Sequence, residues 1–352
     1  MVIKKPKKQL TRKQKDNILG ISLVSIHFIG FALFVAIPLI MSFIMAFSYF
    51  PPYRQELKYA DFCGFDNFVY MFTEADSGLM PKVGGHLIWK ATGNTLFLCL
   101  SIPFEIFIAL LLAQLLRSKI KCRKLFRVIF YLPYVCSTVA IAFVWGYIFS
   151  GSFVQSSPGV YQPTGLVNQI IRFFNPKSEV IDFQWAAGWT KIILIFITIW
   201  TVLGRNIVLL EAGLNNVDTR VYEAAEIDGA GKFTQFFKIT MPLITPTIFY
   251  LLITSIIGAL QSYVTMESFV TCRYQCYGEN NSAITIVAYI MWYMNSRNDD
   301  IYYKTSAAGA ISKTCVSGLG VACAATLYLT VLVAIITFVN NRLSKKWVYY
   351  DD

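Results

Sequence analysis

Few side chains in this sequence have the types and spacing that chemistry needs. Two carboxylates, Glu223 and Asp228, share a short stretch with Ala224, Ala225, Gly229 and Ala230, and a third, Glu105, lies inside an apolar run just after Pro103. An enzyme would need a nucleophile, a metal set or an acid–base pair beside them, and no such cluster is present. The only histidines, His27 and His86, lack ligand-spaced partners, which argues against a metal site. The eight cysteines are scattered; Cys99, Cys136 and Cys323 fall in apolar runs, where a thiol behaves as a small apolar group. Cys63, Cys272 and Cys276 fit a disulfide among them or three separate thiols. No GxxxxGK(S/T) or other phosphate-cradling glycine loop occurs, so no nucleotide, metal or other cofactor is expected in this chain.

The carboxylate stretch, EAAEIDGAGKFTQFFKITMP over residues 223–242, has the local signals of a helix in a polar connection. Asp218 suits an N-cap, Glu223 and Glu226 lie in the first turns, and Gly229 suits a stop or a close approach. Val221, Ala224, Ala225 and Asp228 fall at i, i+3, i+4 and i+7, a face of small residues that another protein surface could approach closely. After Gly229, a second short segment with Phe233, Phe236, Phe237 and Ile239 is expected to pack on neighbouring helices, with Pro242 opening the next apolar run as an N1 residue. The plainer reading is an amphipathic loop helix whose alanines face their own protein.

These elements must be carried by a membrane scaffold. Hydrophobic residues make up 56% of the 352 residues, charged residues 14%, and mean hydropathy is +0.53, far from a soluble domain. Six apolar runs reach the roughly 20 residues that a spanning helix needs: 18–47, 94–116, 126–149, 188–214, 243–263 and 318–339. A seventh, 283–294, is too short and reads as a re-entrant or surface helix. Lysine and arginine crowd the segment before the first run (Lys4, Lys5, Lys7, Lys8, Arg12, Lys13, Lys15), the second connection (Arg117, Lys119, Lys121, Arg123, Lys124, Arg127) and the tail (Arg342, Lys345, Lys346). The positive-inside rule then puts both termini and the Glu223 loop in the cytoplasm. The net charge of +11 is thus a matter of topology, and no aromatic-interleaved basic domain points to nucleic acid. The first run lacks a small-residue cleavage site and continues into Tyr49, Phe50 and Tyr53, which suits an uncleaved span better than a signal peptide. The expected organisation is a basic tail (1–17), an all-α six-span domain (18–339) with its loop at about 215–241, and a cytoplasmic tail (340–352).

The Glu223-Ala224-Ala225, Asp228-Gly229-Ala230, Phe236 and Met241-Pro242 pattern resembles the EAA loop of bacterial ABC-transporter permeases. Phe62 to Phe68 resembles the G-x-x-N-F/Y element of the sugar-type members, Asn94-Thr95-Leu96 the NTL that opens their next helix, Gly165 to Asn168 their GLxN, and Lys346 to Tyr350 their W-V-x-Y tail. In this order they resemble the maltose-type first permease subunit. The resemblance implies an all-α importer permease fold of type I in a bacterial cytoplasmic membrane, surrounded by lipid. It further implies a non-catalytic subunit that imports sugars, oligosaccharides first. Expected partners are an ABC ATPase dimer that binds ATP and Mg, a second and different permease subunit, and an extracytoplasmic solute-binding protein. Glu223, Ala224, Ala225, Asp228, Gly229, Ala230, Phe236 and Pro242 would carry the ATPase coupling.

The chain departs from that pattern where GGP and GYASA elements are usual. It has 271–278 (TCRYQCYG) and 304–310 (KTSAAGA) instead, in a lengthened connection 264–317, which leaves the cargo open. Glu105 reads equally as a hydrogen-bond acceptor on the sugar path or as a carboxyl satisfied by a neighbouring helix. Trp145, Asn206, Gln261, Tyr263 and Glu267 are further path candidates, by stacking or polar contact with sugar. Arg205 reads as a side chain snorkelling to the cytoplasmic interface. The alternatives are another cargo such as peptides, an ion-coupled carrier, or a membrane-embedded enzyme.

Overall fold

The computed structural model describes residues 11–50, 58, 60–73, 87–118, 121–157, 160–163, 165–270, 272–273, 276–295, 303–305, 311–313 and 316–349. The basic residues before Thr11, Tyr53, His86, Lys119, Arg297, Asp299, Asp300 and Tyr350 lie outside these. So do the side chains of Cys272 and Cys276, and with them the disulfide question.

The helices run α1 (Arg12–Phe31), α2 (Ile37–Ala46), α3 (Asp66–Thr73), α4 (Leu87–Leu98), α5 (Ser101–Arg117), α6 (Arg123–Val135), α7 (Thr138–Ile148), α8 (Leu166–Phe174) and α9 (Ala187–Asn215). They continue as α10 (Thr219–Ile227), α11 (Lys232–Gln235), α12 (Met241–Leu243), α13 (Thr245–Leu260), α14 (Val264–Phe269), α15 (Ile286–Asn295) and α16 (Gly318–Ser344). Among the described residues the strands form two-stranded antiparallel pairs in the connections. These are β1 (Ser48–Tyr49) with β2 (Asp61–Phe62), β3 (Phe153–Ser157) with β4 (Val160–Pro163), β5 (Cys272–Arg273) with β6 (Cys276–Tyr277), and β7 (Tyr303–Thr305) with β8 (Ile311–Lys313).

Four stretches among the described residues are long and apolar enough to cross a bilayer: Leu19–Ala46, Leu87–Arg117, Ala187–Asn215 and Gly318–Ser344. Two more qualify only as bent pairs, α6 with α7 at 98° and Lys232–Leu243 with α13 at 62°. The apolar runs 126–149 and 243–263 are unbroken in sequence, and the structure bends each of them. Pro133 sits inside α6, which runs on past it and stops at Cys136 and Ser137, where the backbone leaves the helical region. Pro38 and Pro242 are accommodated differently. Each follows a five-residue π turn, Ala32–Ala36 and Phe236–Thr240, closed by Ile37 N–H on Ala32 O and Met241 N–H on Phe236 O. The wider turn lets the helix continue through the proline. Pro242 therefore does not open the fifth apolar run; Thr245 and Pro246 do, after the bend.

Three buried carboxamides pin the helices, and all lie in the short motifs noted above. Asn67 donates to the carbonyls of Ala46 (2.9 Å) and Ser48 (3.1 Å), tying α3 to the end of α2. Asn94 lies within α4 rather than at its start, because the helix already begins at Leu87. It donates to Asn281 O (3.3 Å) and Ile284 O (2.9 Å), and Thr95 Oγ1 accepts Ile286 N–H at 3.0 Å, so the pair anchors the entry to α15. Asn168 donates to Ser150 O and Ile181 O, both at 2.9 Å, and fastens α8 across the α7–α9 connection. α15 is no surface helix: Ile286, Ala288, Tyr289 and Tyr293 are buried against α16 and α4.

Two large clusters make up most of the apolar interior of the described residues, beside a small third one of Ala46, Cys323 and Ala324. One cluster includes Ile88 and Leu98 of α4, Ile197 of α9, Leu260 of α13, Tyr289 of α15 and Val321 of α16. The other includes Ile102 and Leu116 of α5, Leu203 and Leu214 of α9, Leu251 of α13 and Val217 before α10. The changeover falls at about the same level on three helices, between Leu98 and Ile102, between Ile197 and Leu203, and close to Ala259 and Leu260.

Candidate functional site

A cavity of about 330 Å³ opens where the two clusters meet. α5 contributes Ser101 and Glu105, the α6–α7 bend Tyr134 and Thr138, α9 Thr198, Thr201 and Arg205, α13 Thr254 and Ser255, and the following turn Gln261, Ser262 and Tyr263. Glu105 is only 2% exposed, with Ser255 beside it and Arg205 within electrostatic reach. Its Oε1 and the hydroxyl of Ser101 have no hydrogen-bond partner among the described residues. Unsatisfied buried polar groups are costly, and more so inside a membrane, so their convergence marks a place for water or a polar guest.

Of the sequence candidates, Glu105, Gln261 and Tyr263 line this cavity, whereas Trp145, Asn206 and Glu267 are absent from its lining. Trp145 is taken up by Phe149, Phe196 and Trp200, with ring centroids 5.8, 5.0 and 5.4 Å away. Asn206 is buried beside the cavity and accepts from Arg205 Nε at 3.2 Å. Glu267 is exposed on α14. Arg205 does not snorkel to an interface. It is half-buried, lines the cavity and lies with its guanidinium 6.0 Å from the Tyr134 ring centroid.

The second site is the polar loop after α9. Asp218 caps α10 by accepting Arg220 N–H at 2.9 Å, which satisfies one of the free first-turn donors. α10 ends as a Schellman turn: Ala230 N–H reaches Ala225 O (2.9 Å), Gly229 N–H reaches Glu226 O (3.0 Å), and Gly229 takes φ +77°. A Cβ at Gly229 would meet nothing within 4 Å, so the glycine answers to backbone conformation and not to a close approach.

Val221, Ala224, Ala225 and Asp228 do not act as one face. Ala225 is buried in this protein, whereas Val221, Glu223, Ala224, Ile227 and Asp228 are exposed, since neighbours on a helix point about 100° apart. Ile227 (87% exposed) and Phe233 (83%) are the most open apolar side chains here, and Phe237 is exposed too; Phe236 alone of the three phenylalanines packs inward.

Tyr222, absent from the sequence candidates, ties this loop to the spans. Its hydroxyl lies 2.8 Å from Thr240 Oγ1 in the π turn and accepts from Arg117 Nη1 at 3.4 Å, while Arg117 also covers its ring at 5.2 Å. A cleft of about 430 Å³ lies beneath, lined by Arg117, Glu223, Glu226, Lys232 and others. Glu211 was missed as well. Buried on α9, it accepts ion pairs from Arg127 (2.8 Å) and Arg123 (3.4 Å) of α6. The signal for it was a lone carboxylate at the basic end of an apolar run.

The chain is 26% identical over 342 residues to "Probable ABC transporter permease protein YesP" of Bacillus subtilis (strain 168), covering 96% of this chain and 94% of that protein. It is 32% identical over 206 residues to "Lactose transport system permease protein LacF" of Rhizobium radiobacter, covering 58% and 64%. A crystal structure of "a bacterial ABC transporter involved in the import of the acidic polysaccharide alginate" shares the fold, with a TM-score of 0.69 at 24% identity over 94% of this chain and 96% of that one. The family model "Binding-protein-dependent transport system inner membrane component" matches residues 105–349, from Glu105 of the cavity through the α10 loop to Tyr349. This chain therefore belongs to the binding-protein-dependent transport system inner membrane components.

Proposed function

We propose that this permease imports sugars, oligosaccharides first, through the cavity between its two apolar clusters. That cavity carries the reading. Hydroxyl and carboxyl groups from α5, α9 and α13 converge with the Gln261 amide of the following turn, with Tyr134 and Tyr263 beside them. Such a lining matches a polyhydroxylated guest, which needs many donors and acceptors and an aromatic face. The lactose-named relative supports the same cargo class.

In this reading the protein has six spans, with the bent α6–α7 and α11–α13 pairs as the third and fifth, and both termini in the cytoplasm. Residues 1–17 and 340–352 are tails flanking the 18–339 permease domain. A separate ATPase dimer binds ATP and Mg and grips the exposed side of α10, where Glu223, Ala224, Asp228 and Gly229 lie beside Ile227. Ala225, Phe236 and Pro242 form its inner support, and Ala230 closes its C-terminal turn. Closure of the ATPase dimer displaces α10; Tyr222 passes that movement to α5 through Arg117 and to the fifth span through Thr240. The halves of the bundle then rock about the cavity level, and a second, different permease completes the path. A cargo-loaded extracytoplasmic binding protein favours the same state as ATP, which links delivery to the power stroke.

The test is reconstitution of this chain with its ATPase, second permease and binding protein in liposomes. Labelled oligosaccharide uptake is expected to require both ATP on the α10 side and loaded binding protein. Uptake by this chain alone, driven by an ion gradient, would overturn the reading in favour of a carrier.

A further inference from the structure

The cavity contains a cation, Arg205, that has the Glu105 carboxyl within electrostatic reach but no ion-pair partner within 4 Å among the described residues. Arg205 Nε donates to Asn206 Oδ1 at 3.2 Å, and its guanidinium lies near the Tyr134 ring. These contacts orient the group, and its terminal amino groups donate no hydrogen bond to a described residue. Glu105 shares the cavity but stops short of an ion pair with it. An arginine inside a span is expensive unless it meets an anion or lines an aqueous path. Where this chain needs to neutralise arginine permanently it does so directly, as Glu211 does for Arg123 and Arg127. Thr138, the first residue of α7, also lines the cavity, and Ser137 gives that helix no side-chain cap. The positive end of the α7 dipole thus adds to Arg205.

Hydroxyl groups have acceptors and donors enough in Glu105, Ser101 and Ser255, none of which needs a guanidinium beside it. A planar guanidinium whose terminal amino groups donate to no described residue matches a carboxylate in two parallel hydrogen bonds. We propose that Arg205 is the carboxylate-recognising residue of this cavity and that the cargo is an acidic oligosaccharide, one containing uronic acid. This rests on the reading of the cavity as a sugar path. A carboxylate at Arg205 would leave Glu105 and the two serines to receive hydroxyls of the same or the adjoining ring.

The experiment uses the assembled transporter, this chain with its second permease and ATPase, in nanodiscs without binding protein, so that only the membrane cavity selects. Affinities for digalacturonate and for its neutral counterpart galactobiose are titrated by saturation-transfer NMR. Digalacturonate is expected to bind about tenfold or more tightly than galactobiose. Arg205→Gln should remove that preference, weakening digalacturonate by a larger factor than galactobiose. Should Arg205→Gln fail to assemble, Arg205→Lys keeps the charge but loses the fork, and is expected to weaken digalacturonate by about three- to tenfold. Equal affinity for both sugars, a preference that survives Arg205→Gln, or an unaltered digalacturonate affinity in Arg205→Lys overturns the proposal while the sugar path stands. Binding of neither sugar overturns both.

Discussion

Glu105 and Gly229 show how one residue can be demanded by its surroundings in two different ways. Glu105 is buried, with one oxygen unpartnered among the described residues; in the proposed function that oxygen meets the cargo. Glu105→Gln retains shape and one acceptor but loses the carboxylate, and a hydrogen bond to a charged group is worth about 1.5–3 kcal/mol. Sugar uptake is expected to fall roughly ten- to a hundredfold, and sugar carried per ATP should fall with it in one reconstituted preparation. Equal loss of uptake and hydrolysis would give Glu105 a structural role. Gly229 is demanded by its backbone at φ +77° with open space around it. Gly229→Ala should cost about 1–2 kcal/mol in a left-handed position and leave coupling largely intact. Gly229→Asp and Glu223→Lys place a wrong charge on the open side of α10. Both should insert normally yet lose cargo-stimulated ATP hydrolysis; wild-type transport in both would remove the docking assignment.

At the scale of elements, α10 is a short helix whose ends are locally satisfied and whose one inward anchor is Tyr222 with Ala225. Tyr222→Phe keeps the ring under Arg117 but deletes the hydroxyl shared with Thr240 and Arg117. Each lost hydrogen bond is worth about 0.5–1.5 kcal/mol, too little to unfold the bundle. The expected result is a reduced ratio of cargo-stimulated to basal ATPase with unchanged thermal stability; an unchanged ratio would leave Tyr222 outside the lever. The Glu211 cluster makes the opposite prediction. Glu211→Gln leaves Arg123 and Arg127 facing a neutral amide between α6 and α9, a loss of at most about 3 kcal/mol because both arginines are more than a third exposed. It should lower the melting temperature in detergent, and equal melting of variant and wild type would mean the cluster does not hold α6 to α9.

For the whole molecule, the bend of 98° between α6 and α7 and that of 62° before α13 decide whether the chain crosses six times or four. On a background without native outer cysteines, a cysteine near Lys121 or Lys232 is expected to be shielded from impermeant thiol reagents in intact cells, and one near Ser157 to react. Labelling at Lys232 from outside would overturn six spans with an inward α10. The second bend lies between Pro242 and Pro246, whereas the first falls three residues past Pro133, so residue types mark the neighbourhood of both kinks but not their position or angle.

The sequence by itself determined that this is a helical membrane permease, because long apolar runs, basic connections and a twenty-residue loop pattern are local features that survive without a partner. It also held the cap at Asp218 and the turn at Gly229, which depend only on a few neighbouring residues. Only the tertiary structure decided that α15 is buried, that Ala225 turns inward while Ala224 does not, and that Arg205 enters the cavity with Glu105. The reason is physical. In a chain that meets lipid outside and apolar side chains inside, helix faces look alike to hydrophobic periodicity. Nothing in the order of residues says which polar groups on α5, α9 and α13 will meet, because that meeting is fixed by packing between segments up to about 150 residues apart.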